Sequence, residues 1–158
     1  MRHLTLIAST CAALLSGCAS APPPLTVTPL QQQVADTAPA VSLYERLGGL
    51  PAITAVVDRF VDRLVADPRT RRSFEGGINL KALKASIVAQ VCNATGGRCK
   101  YEGESMIKAH HGLAITPLEF DTAIGHIRAT LNELHVGARE QQEFLQIVLP
   151  MKSDIVGR

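Results

Sequence analysis

The run Met106-Ile107-Lys108-Ala109-His110-His111-Gly112-Leu113-Ala114-Ile115 carries the clearest chemistry in the chain. It places an imidazole on a short apolar helical stretch, just before the next helix is signalled. A neutral imidazole nitrogen is a good ligand for iron, and an apolar surround suits an iron centre buried away from water. The plain alternative is a core histidine with its N–H satisfied. His111 follows about 100° round the helix from His110, so the two rings cannot face one ion.

The cysteines are the next chemical groups. Cys11 and Cys18 lie near the start, leaving Cys92 and Cys99 as a close pair further on. In an oxidising compartment such a pair is expected to bridge. The loop it closes is short, worth about 2.5 kcal/mol in chain entropy. The alternative is two reduced thiols; a metal site lacks a third ligand at the usual spacing. Sixteen Lys+Arg against fourteen Asp+Glu leave a formal net charge of +2, which gives no argument for nucleic acid. Arg69, Arg71 and Arg72 form a local basic knot, expected on a solvated helix edge.

The start of the chain has the form of an export signal. Arg2 and His3 precede an apolar stretch from Leu4 to Leu15 that is too short to span a bilayer. The segment Leu15-Ser16-Gly17-Cys18 resembles the cleavage and acylation box of bacterial lipoproteins. That resemblance implies removal of residues 1–17 and a lipid anchor on Cys18, which attaches a protein to a membrane without a spanning helix. Ala19 follows where an aspartate retains some lipoproteins in the inner membrane, so the expected address is the periplasm-facing outer membrane. Residues 18–40 hold Pro22, Pro23, Pro24, Pro29 and Pro39 with Gln31 to Gln33, and form the expected tether. Residues 41–158 then suffice for one domain with one core.

These residues are predicted to be all-α. Ser42-Leu43-Tyr44-Glu45 is a capping box, and Gly48-Gly49 should end the short helix it opens. Ile53, Val56, Val57, Phe60, Leu64 and Val65 recur at helical spacing. Asn79 caps a helix with Leu80, Leu83, Ile87, Val88 and Val91, which Gly96-Gly97 breaks. Gly103 opens the histidine-bearing segment. Thr116-Pro117-Leu118-Glu119 starts a helix with Phe120, Ile124, Ile127, Leu131 and Leu134. Phe144, Ile147, Val148, Met151 and Ile155 make the last, with Pro150 as a kink. There is no strand alternation and no internal repeat. Periodicity alone gives a helical domain with an apolar core; it cannot show a cofactor.

Taken together, Ser42 to Gly49, Phe60, Phe74, Gly96-Gly97, Tyr101-x-Gly103 and Met106-x-x-x-His110-x-Gly112 resemble the truncated haemoglobins, group I above all. The resemblance spans roughly residues 42–156. It implies a shortened globin, a two-over-two helical sandwich around haem b. His110 then matches the proximal iron ligand, with its neighbour His111 as the alternative, and Phe74 the aromatic that packs on the haem. Phe60 matches an aromatic beside the distal pocket, and Met106 and Ile115 match positions on the proximal side. Plain core packing is the alternative for these last four. His126 is expected to be structural and His135 solvated.

The departures from the family pattern carry information too. Where group I members place an oxygen-holding tyrosine, this chain has Val61. Where they offer glutamine on the distal helix, it has Leu83 and Ile87, with Gln90 a turn further on. No distal histidine is evident, and Lys81 and Lys84 are expected on the surface rather than on iron. The resemblance therefore implies a haem that takes CO or NO readily and holds O2 weakly. The other readings are nitric oxide dioxygenation or peroxidase-like chemistry, and a haem-free structural lipoprotein. The chain holds no flavin or nicotinamide motif and names no redox partner.

Overall fold

The computed structural model describes residues 41–158; the expected signal, Cys18 and the expected Pro-rich tether lie outside the described residues. Among the described residues seven α-helices follow in order: α1 (Leu43–Arg46), α2 (Gly49–Ala66), α3 (Leu80–Ala94), α4 (Met106–Ala109), α5 (Pro117–Glu133), α6 (Ala138–Val148) and α7 (Lys152–Ile155). Two 3-10 turns, Arg71–Phe74 and Leu149–Met151, join α2 to α3 and α6 to α7.

Helix starts follow local chemistry. The Ser42 hydroxyl accepts from the Glu45 N–H at 3.2 Å while Glu45 accepts from the Ser42 N–H at 3.1 Å, a reciprocal cap that satisfies two orphan donors. Thr116 and Glu119 repeat it at α5, with Pro117 in the first turn, where a missing N–H costs nothing. Asn79 caps α3 by accepting from the Ala82 N–H at 3.1 Å. Between α1 and α2 the chain turns through Gly48 at φ 97°, a conformation that a side chain resists. At α4 the cap is Ser105, not Gly103, because only the hydroxyl can accept from the Lys108 N–H. The expected last helix is three pieces. Pro150 sits in the 3-10 turn between α6 and α7, where its ring and missing N–H interrupt the α-helical ladder.

The long helices pack as a sandwich. Helix α2 lies against both α3 and α5, α1 against α2 and α6, and α4 against α7. One core cluster joins Leu43, Ile115, Phe120, Ile124, Ile127, Leu131, Phe144 and Leu145. A second joins Ile53, Val57, Val61 and Cys92, filling the α2–α3 contact. Cys92 and Cys99 form a disulfide with Cα atoms 5.8 Å apart, fastening the end of α3 to the segment that leads into α4. Gly97 passes so close to this bridge that a Cβ would meet Cys92 Sγ at 2.5 Å and Tyr44 at 2.7 Å. Among the described residues no helix is long and apolar enough to cross a membrane.

Candidate functional site

Among helices α2 to α7 lies a cavity of about 350 Å³ with a mainly apolar wall. Helix α2 contributes Val56, Val57, Phe60 and Leu64, and the turn after it Ser73 and Phe74. Leu83, Ser86, Ile87, Gln90 and Val91 form one face of α3 towards it. Met106, Ala109, His110, Leu113 and Ile115 come from α4 and the loop that follows, and α5 to α7 complete the enclosure.

His110 is the C-cap of α4. Its Nδ1 lies 2.9 Å from the Met106 carbonyl oxygen. A carbonyl only accepts, so Nδ1 donates to it, and in the neutral ring the Nε2 lone pair is left for a ligand. A backbone carbonyl holding the far ring nitrogen is the usual way a metal-binding imidazole is oriented. His111 is exposed and absent from the wall.

The remaining polar groups on the wall are mostly engaged. Thr70 Oγ1 donates to the Leu64 carbonyl, Thr95 Oγ1 to the Val91 carbonyl and Tyr101 OH to the Glu104 carbonyl, each at 2.7 Å. Gln90 Nε2 donates to Met106 Sδ at 3.4 Å, so its amide points towards the segment that carries His110. The Ser73 Oγ is buried without a partner among the described residues. A cavity of this kind fits haem. It is apolar, offers one imidazole lone pair, and leaves a buried hydroxyl wanting a partner. Among the described residues no group of three or more His, Cys, Asp or Glu could hold a metal ion alone.

Of the other residues singled out in the sequence, Phe60, Phe74, Leu83, Ile87, Met106 and Ile115 all line the cavity. Val61 does not. It is fully buried against Ile53, Val57 and Cys92, because its short side chain ends within the α2–α3 contact. Gln90, one turn beyond Ile87, does line the wall. Lys84 pairs with Asp62 at 2.7 Å and Lys81 is exposed, and neither lines the cavity. His126 bonds Asp67 through Nε2 at 2.9 Å, tying α5 to the end of α2. His135 is exposed beyond α5.

Arg69, Arg71 and Arg72 are exposed, as expected of a solvated edge, and each also pairs with a carboxylate. Arg69 meets Asp67, Arg71 meets Glu75, and Arg72 meets Glu119 at 2.5 Å. Glu119 is buried, yet the Arg72 guanidinium beside it holds its carboxyl down at about 2, with the Thr116 N–H and hydroxyl assisting against the upward push of burial. Below the ordinary value of 4.5 the unfolded chain takes up this proton first, so stability is full above that pH and falls as pH drops towards about 2. Thermal midpoints followed by circular dichroism should fall over that window, and Glu119→Gln should flatten the fall. An unchanged slope in the variant would contradict this assignment.

Comparison with known proteins agrees with this geometry. Residues 42–156 match the family described as bacterial-like globin. The group 1 truncated haemoglobin GlbN of Mycolicibacterium paratuberculosis is 32% identical over 114 residues, covering 72% of this chain and 83% of that protein. The group 1 truncated haemoglobin LI410 of Chlamydomonas moewusii is 31% identical over 117 residues, covering 73% of this chain and 68% of that protein. The crystal structure of the Tetrahymena pyriformis truncated haemoglobin in its Fe(III) form superposes with a TM-score of 0.71 at 29% identity, covering 75% of this chain and all of that one. An apolar cavity among helices α2 to α7, a lone imidazole on its wall and these likenesses lead to one conclusion: the chain belongs to the bacterial-like globins, among the group 1 truncated haemoglobins.

Proposed function

We propose that this protein holds haem b in the cavity through His110 Nε2 and binds diatomic gases there, CO and NO readily and O2 weakly. The observation that carries it is the His110 Nδ1 contact with the Met106 carbonyl, which leaves Nε2 free on an apolar wall. Haem, when bound, supplies an iron with a position open to a gas.

The wall that α3 presents supports the gas preference. Leu83 and Ile87 carry no donor, the Gln90 amide is engaged by Met106, and the hydroxyl of Ser86 is the one other polar side chain that α3 offers. Bound O2 carries negative charge outward, and a hydrogen bond to such a group is worth about 1.5–3 kcal/mol. Without it O2 leaves quickly, whereas CO depends far less on a donor. The same wall weighs against nitric oxide dioxygenation, which needs O2 to be retained. Stopped-flow displacement of O2 from the haem-loaded protein should show rapid release with ready conversion to the ferric form. Slow release would contradict the proposal.

The same proposal places the domain at the cell envelope, lipid-anchored through Cys18. Support comes from the box at Leu15-Ser16-Gly17-Cys18 and the prolines after it.

A further inference from the structure

We propose that Arg72 is a positioning residue for His110: its guanidinium fixes the loop that follows the imidazole to the turn that carries Phe74. The proposal rests on His110 being the iron ligand. Arg72 lies in the 3-10 turn Arg71–Phe74, whose Ser73 and Phe74 line the cavity. It donates through Nε to Glu119 Oε1 at 2.5 Å and through Nη2 to Glu119 Oε2 at 2.6 Å. It also donates to the carbonyls of Leu113 at 2.9 Å and Ala114 at 3.0 Å. Leu113 in turn closes on His110, its N–H donating to the His110 carbonyl at 3.1 Å. One side chain therefore spans the turn, the post-histidine loop and the cap of α5.

Two further observations indicate that this loop is held rather than relaxed. Ala114 sits at φ 47°, which an L side chain rarely adopts and which persists only when surroundings impose it. On its other side the Ala114 N–H donates to the Arg158 carbonyl at 2.5 Å, and Gly157 donates to the Ile115 carbonyl at 2.9 Å. The Arg72 fork is planar and its donors diverge in fixed directions, so a lysine at this position keeps the charge but cannot make the same set of contacts. Freed of the clamp, the loop relaxes and the His110 ring turns relative to its iron.

The test uses the full haem-loaded chain, comparing the parent with Arg72→Ala, Arg72→Lys and His110→Ala. The readouts are the iron–histidine stretching band in ferrous resonance Raman spectra and CO association after flash photolysis. The band should shift and broaden in both Arg72 variants, and CO association should change by about threefold to tenfold, with haem still bound. If Arg72→Ala does not fold, Arg72→Lys carries the same readouts with the charge intact. An unmoved band and unchanged association in the folded Arg72 variants overturn the positioning role while His110→Ala still abolishes the band. A band that survives His110→Ala overturns both the ligand assignment and the role of Arg72.

Discussion

His110→Ala is expected to weaken haem binding on the order of a hundredfold and to abolish the parent's ferrous spectrum. The magnitude follows from the make-up of the wall. Its other polar side chains are tied to carbonyls, to Arg72 or to Met106, apart from the serine hydroxyls, and hydroxyls are poor ligands for haem iron. Deleting the imidazole leaves the macrocycle without a strong side-chain ligand for its iron. Free imidazole added to the variant should restore much of the spectrum, since the deletion leaves a space of that shape. His111→Ala should change neither property, because that ring is exposed and off the wall. Competition for haem with an acceptor protein measures the loss, and circular dichroism checks that the variant is folded. Unaltered haem retention in His110→Ala would remove the assignment.

The second large effect lies on the wall contributed by α3. Ile87→Gln puts an amide donor on the cavity wall at a position where the parent side chain has only hydrocarbon groups. A charge-assisted hydrogen bond to O2 at about 1.5–3 kcal/mol slows release by about tenfold to a hundredfold. CO carries little outward charge, so its association should stay within about threefold of the parent. Stopped-flow release of O2 and flash photolysis of CO give both numbers on one preparation. Equal O2 release in variant and parent would mean that the donor is supplied elsewhere, with Ser73 and Ser86 the next wall hydroxyls to alter.

Much of the fold was legible in local chemistry. Ser42 with Glu45, Asn79, and Thr116 with Glu119 are caps whose partners lie three residues away, so each declares itself in a short window. The apolar stripes of α2, α3 and α5 follow the same local logic. Pro150 was legible as an interruption but not as a 3-10 turn between two helices. What each face meets is not written in a short window. Phe60 and Val61 are adjacent on α2, yet one lines the cavity and the other fills the contact with α3. Periodicity identifies a buried face and says nothing of which neighbour covers it.

The polar network around His110 was hidden for a related reason. Arg72 and Glu119 are 47 residues apart, and two of the groups that Arg72 meets are backbone carbonyls, which no residue type announces. Glu119 looked like a helix cap and is one; the same carboxylate also receives the guanidinium. Gln90 sits on the α3 face of Leu83 and Ile87, where its spacing placed it. Its bond to Met106 comes from the return of the chain through the disulfide-bound segment.

The most direct test of the central claim is the ferrous absorption spectrum of the full chain loaded with haem, recorded before and after CO. A five-coordinate spectrum that converts fully on adding CO is the predicted result. Failure to retain haem, or a ferrous iron already six-coordinate before CO is added, would contradict it.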